Sequence, residues 1–152
     1  MNDDAEAIET ADALFRATSE VFAGMVFMDV SRADGGAAEP GGIAAAIDIL
    51  KPLSCRLELR MPRSLYAGIV ELLGSGDADA ADEPEDAVLE MVNVLAGSFI
   101  SERFGPGADM KLELPRYLYG ADQASGVPIA GVGCDAEGEP FSVLLTSVRY
   151  RY

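Results

Sequence analysis

The chain has 152 residues, is 49% hydrophobic, and carries 26 acidic against 11 basic side chains with no histidine. That length and apolar share suit one domain spanning 1–152 with a sizeable core, and they exclude a disordered chain. A net charge of −15 excludes recognition of nucleic acid or an anionic membrane through phosphate contacts, and the missing histidine removes the commonest general base and metal ligand.

Residues 4–27 predict a first helix: Ile8, Ala11, Phe15, Thr18, Phe22 and Met25 recur at three- and four-residue spacing. Residues 28–42 read as a loop with DGG and PGG turn signals. A first strand is expected over 43–50, a turn over 51–54, and a second strand over 55–61. The second strand alternates as CRLELRM, which predicts one wet face. A short helix follows over 64–73, with Leu65, Ile69 and Leu72 inward, and then an acidic loop over 74–83. After the central helix, described next, a third strand is predicted over 110–114 and a connector over 116–126. A last hairpin, 127–134 with 141–149, is built around DAEGEP. Consecutive strands with short turns indicate antiparallel pairing, hence an α+β fold.

Residues 85–105 predict a helix with both ends marked. Asp82 is placed to cap it, with Glu85 at the capping-box position, Pro84 in the first turn and Gly105-Pro106 as the stop. Val88, Val92, Leu95 and Phe99 fall on one face, the expected core face. Opposite lie Asp86, Glu90, Asn93, Gly97 and Ser101, a stripe only about 80° wide. A solvated helix face is one explanation. Mid-helix, however, asparagine is a weak helix former and glycine costs about 1 kcal/mol against alanine. Two such choices on one face point to a close approach by something else.

No G-x-G-x-x-G, P-loop or G-x-S-x-G motif is present. Cys55 and Cys134 each sit in an apolar strand-like segment and are expected to be buried small hydrophobes in a reducing compartment. The chain lacks a run of about 20 apolar residues that could span a membrane. Its acidic start, MNDDAEAIE, is the opposite of a signal-peptide n-region, so a cytoplasmic protein is expected. A faint internal repeat sets Glu20 on Glu90 and lays TSEVFAGMVF over VLEMVNVLAG, with Ala23 opposite Asn93.

The segment Glu90-Met-Val-Asn93-Val-Leu-Ala-Gly97 resembles the E-x-x-N-x-x-x-G helix signature of the CheC/CheX/FliY chemotaxis phosphatases, and the chain is most similar to the CheX-like branch. The first helix, from Leu14 to Phe22, resembles that family's opening helix. The strand order, the Met61-Pro62 step into a short helix and the acidic loop before the motif also fit. The resemblance runs over about 7–148.

The resemblance implies an α+β pseudo-repeat, with a mixed or antiparallel sheet and long helices on one face. It also implies hydrolysis of the aspartyl phosphate of a phosphorylated CheY-type response regulator. In that reading Asn93 and Glu90 are the catalytic pair. Asn93 positions the water, Glu90 docks on the partner's lysine, and Gly97, Asp86 and Ser101 complete the binding face. No cofactor is expected on this chain; magnesium belongs to the response regulator. A homodimer with one site per chain is implied, because Ala23 replaces a first-helix asparagine. The resemblance is incomplete after the glycine: many members of that family continue with asparagine, a small residue and then lysine, where this chain has Ser98, Phe99 and Ile100. A non-catalytic receiver-binding or flagellar-switch-type adaptor of the same fold is the alternative.

Overall fold

A computed structural model describes residues 2–33, 42–74, 84–119 and 127–147. Among the described residues three helices, α1 (Asn2–Val26), α2 (Arg63–Gly74) and α3 (Pro84–Phe104), combine with seven strands. These are β1 (Val30–Arg32), β2 (Ile43–Lys51), β3 (Cys55–Met61), β4 (Lys111–Leu112), β5 (Arg116–Tyr117), β6 (Pro128–Ala136) and β7 (Glu139–Thr146). The sheet order is β1-β6-β7-β3-β2-β4, with β5 also on β2. Every pairing is antiparallel.

The order contains a pseudo-twofold. Each long helix, α1 or α3, leads into a short edge strand and then a long hairpin. The edge strand after α1 pairs with β6 of the other half, and the edge strands after α3 pair with β2 of the first. The halves join at the centre through β3 and β7, with Arg56 opposite Thr146 and Arg60 opposite Ser142. The internal repeat in the sequence thus has a structural counterpart.

Strand alternation decides which side chains meet the helices. Ala45, Ile47, Ile49, Cys55, Leu57, Leu59, Met61, Val132, Cys134, Phe141, Val143 and Leu145 share one core with the helices. From α1 come Leu14, Val21 and Phe22, from α2 Leu65 and Ile69, and from α3 Val88, Val92, Leu95 and Phe99. The Phe22 and Phe141 rings stack at 4.7 Å across this core. Both cysteines are free and fully buried, as expected of small hydrophobes. Burial pushes each thiol up to about 12; the Asp48 charge adds to the rise at Cys55, and Arg32 opposes it at Cys134.

The other sheet face departs from expectation. The polar side of β3 is not wet: Glu58 is 1% exposed and Asp48 is also buried. Glu58 accepts from Arg60 at 2.8 and 3.0 Å, while Asp48 accepts from Arg56 at 2.9 Å and pairs with Arg116 at 3.5 Å. Leu118 folds over Ala44 and Ala46, its N–H donating to the Ala44 carbonyl at 2.9 Å. The 111–119 segment therefore partly covers this face, and charges there pair because burial of a lone charge is costly.

Other differences are local. β1 forms inside the predicted loop, paired to 134–136. The third strand shrinks to Lys111–Leu112, and Leu114 is exposed. In α2 the stripe runs Leu65, Ile69, Leu73, so Leu72 is 48% exposed instead of inward. The last hairpin closes through Glu137 (φ 52°) and Gly138 (φ 94°), the left-handed pair of a type I′ turn. The Gly138 N–H donates to Asp135 at 2.7 Å. The basic C-terminal tail, the 74–83 loop beyond Gly74 and the Asp82 cap lie outside the described residues.

Candidate functional site

α3 starts at Pro84, where a missing backbone N–H costs no helical hydrogen bond. Glu85 and Asp86 occupy the first turn, favourable at the positive end of the helix dipole. The Tyr117 hydroxyl donates to the Glu85 carbonyl at 2.6 Å and lies 3.2 Å from the Tyr66 hydroxyl. This ties the start of α3 to β5 and α2. Burial, then the Tyr66 hydrogen bond and the neighbouring acidic charge, holds the Tyr117 phenol well above its ordinary range. At the other end Gly105 takes φ 101°, a conformation that favours glycine. Its N–H donates to the Ser101 carbonyl at 2.9 Å.

Val88, Val92, Leu95 and Phe99 are buried as predicted, joined by Met91, Ala96 and Ile100. So wide a buried face leaves a narrow outward strip. Asp86 and Glu90 on it are exposed; Asn93, Gly97 and Ser101 are partly so. All five predicted site residues therefore share one accessible surface of α3. Glu90 and Asn93 are separated by about 4.5 Å along the axis and point the same way. Among the described residues, no hydrogen bond or ion pair engages the side chains of Asp86, Glu90 or Asn93. Two cations between α1 and α3 are occupied: Arg16 pairs with Glu102 at 3.0 Å. Arg103 bonds Thr10 at 3.2 Å and lies 3.8 Å from Glu9. The strip itself, Asp86, Glu90, Asn93, Gly97 and Ser101, offers acceptors and a carboxamide and carries no basic residue.

Two neighbours were not legible in the sequence. Met110 returns along α3 after Gly105, so that its sulfur would stand 4.0 Å from a Cβ built on Gly97. Val94, at the edge of the strip, is 39% exposed, and so is Met110. The strip thus has an apolar group, Met110, beside Gly97 and an exposed valine next in sequence to Asn93. Among the described residues no group of three or more histidine, cysteine or acidic side chains is arranged to hold a metal, and no helix is long and apolar enough to cross a membrane.

An α+β pseudo-repeat with this helix face is the architecture of a known class of signalling proteins. The family profile described as "Chemotaxis phosphatase CheX" matches residues 43–133, more than half of the chain, and the chain belongs to that family. Solved structures agree on the fold. CheX from Vibrio vulnificus superposes with a TM-score of 0.69 at 13% identity, covering 90% of this chain and 95% of the other. CheX from Desulfovibrio desulfuricans gives 0.66 at 17%, covering 90% and 97%. The CheX-CheY-BeF3-Mg complex from Borrelia burgdorferi gives 0.62 at 14%, covering 89% and 95%. No curated protein matches the chain.

Proposed function

We propose that this chain is a phosphatase that hydrolyses the aspartyl phosphate of a CheY-type response regulator. The observation that carries the proposal is the Glu90–Asn93 pair. Both sit on a rigid helix, accessible and unengaged among the described residues, in a member of the CheX family. A CheX of the same fold has been crystallised with CheY, beryllium fluoride and magnesium, which supports a receiver as the partner. Burial of the strip under other elements would have favoured an unrelated domain with no docking face; the strip is open.

The chemistry asked of this chain is small. An acyl phosphate is already activated, and the receiver supplies the magnesium. Asn93, supplied in trans, accepts from and donates to one water and holds it in line with phosphorus. The water oxygen bonds to phosphorus and the P–O bond to the aspartyl carboxylate breaks, giving inorganic phosphate and free aspartate. The water's protons pass to the phosphate and solvent, so no side-chain base is required, which suits a chain without histidine. Glu90, one turn away, accepts from the receiver's lysine and fixes the register. Asp86, Gly97 and Ser101 complete the contact surface. The reading takes the chain as a cytoplasmic homodimer with one site per chain. With −15 net charge, docking depends on local complementarity and not on long-range attraction.

The test is the decay of phosphate from phosphorylated stand-alone receivers, in magnesium, with and without this protein. Acceleration supports the proposal. Phosphorylation-dependent binding without acceleration selects the adaptor reading instead.

A further inference from the structure

The end of α1 carries a feature that neither the core nor the Glu90–Asn93 pair uses. Phe27 is 82% exposed and holds φ at 57°, in the left-handed region. It is the left-handed residue that ends α1, with the Met28 N–H donating to the Phe22 carbonyl at 3.2 Å, and glycine would adopt that conformation more readily than a large side chain. Gly105 does so at the end of α3. The chain therefore carries two unfavourable choices at one position, an aromatic ring in water and a left-handed backbone. Helix capping accounts for the backbone, while no packing offsets the exposed ring, and a large side chain held where glycine would cap better points to a role for the ring.

Its place relative to the site follows from the helix pairing. Arg16 bonds Glu102 and Arg103 bonds Thr10, so α1 and α3 lie side by side and antiparallel. From Thr10 to Phe27, α1 rises about 26 Å at 1.5 Å per residue; the same length back from Arg103 along α3 reaches Asp86. Phe27 therefore stands level with the Asp86–Glu90 turn, on a helix whose axis is about 8–10 Å away. Both outer surfaces face solvent: Glu20, Ala23 and Gly24 lead to Phe27 on α1, as Asp86 and Glu90 lead to Asn93 on α3. A Cβ on Gly24 would meet nothing within 4 Å, so the outer surface of α1 is open at that residue. In the internal repeat Phe27 takes the place of Gly97, just as Ala23 takes that of Asn93. The α1 half lacks the carboxamide and carries an aromatic group instead.

We infer that Phe27 is a second anchor for the receiver seated on Asn93, an inference that rests on the phosphatase reading above. A stable interface buries about 800 Å² on each partner, a patch roughly 16 Å in radius. Centred on Asn93, such a patch reaches the level of Asp86 and the neighbouring helix, and so covers Phe27. Buried aromatic side chains commonly carry much of the binding energy at such interfaces. Phe27 acts by docking and has no part in the bond-breaking step.

The experiment is turnover of a stand-alone receiver phosphorylated with acetyl phosphate, comparing wild type, Phe27→Gly and Asn93→Ala. The inference expects Phe27→Gly to raise KM about tenfold, to leave kcat within about twofold, and to keep or raise Tm, because glycine relieves the left-handed strain. An unchanged KM in Phe27→Gly, with turnover lost in Asn93→Ala, overturns the anchor and leaves the phosphatase reading standing. A lowered Tm or an altered sedimentation coefficient with unchanged KM also overturns it, assigning Phe27 to the fold or to a contact between copies. Full turnover in Asn93→Ala, or none in wild type, defeats the phosphatase reading itself and the anchor with it.

Discussion

Met110 lies against Gly97: a Cβ placed on the glycine would stand 4.0 Å from the methionine sulfur, an ordinary van der Waals contact. The chain's own packing thus has room for alanine at 97, yet glycine is kept in mid-helix at a cost of about 1 kcal/mol. In the proposed function the reason for the glycine lies outside the chain, in the receiver seated on Asn93. Gly97→Ala should therefore raise unfolding free energy by about 1 kcal/mol while reducing receiver turnover severalfold. Denaturant titration and phosphate-release assays on one sample check both halves. A variant stabilised with full turnover would show that nothing approaches that surface closely.

Glu90 is exposed and one turn from Asn93. If it docks on a lysine, Glu90→Gln removes one charge-assisted hydrogen bond, worth about 1.5–3 kcal/mol. KM should rise by roughly 10- to 100-fold, with a smaller change in kcat. Saturation kinetics on a phospho-receiver separate the two; loss confined to kcat would move Glu90 from docking into the chemistry.

On the far face of the sheet Glu58 is 1% exposed and held by Arg60 at 2.8 Å. Arg60→Ala strands a buried carboxylate and should cost about 3–5 kcal/mol of stability. Replacing both partners, Glu58→Leu with Arg60→Met, should recover most of that, because paired apolar groups of similar size remove the desolvation problem. Urea midpoints measure this directly. A cost below about 1 kcal/mol for the single variant would mean the pair behaves as a surface bridge.

Much of this was legible in the sequence. The bounds of β3 and the core face of α3 follow from periods of two and of 3.6, which the residues themselves encode. The Glu90–Asn93 face was legible because asparagine and glycine are poor choices in mid-helix. β1 was not, because its pairing partner at 134–136 lies a hundred residues away in the chain and Val30–Arg32 carries no pattern of its own. The burial of Glu58 was hidden for a similar reason: alternation marks a polar face but not what folds over it. Met110 reaches Gly97 only through the reversal at Gly105, a tertiary fact. Leu72 was misplaced by a one-residue choice between three- and four-residue spacing.

The buried thiols give a pH dependence. Burial pushes Cys55 and Cys134 from 9.0 up to about 12. Above pH 9 the unfolded chain releases these protons while the native chain keeps them. The stabilisation is therefore complete below pH 9 and is lost as pH rises towards 12. Each thiol contributes a slope of up to about 1.4 kcal/mol per pH unit. Urea unfolding at several pH values between 8 and 11 should show the decline, and the Cys55→Ala/Cys134→Ala variant should flatten it. An equal slope in that variant would contradict the assignment.

The central claim is that Asn93 positions the attacking water. The direct measurement is the rate of phosphate loss from a phosphorylated CheY-type receiver in magnesium, with wild-type protein and with Asn93→Ala at saturating concentration. Asn93 is partly exposed and unbonded among the described residues, so the variant should fold with a Tm close to wild type. The account predicts wild-type acceleration that falls by about 100-fold or more in Asn93→Ala, with receiver binding retained. Equal acceleration by the two proteins would contradict it.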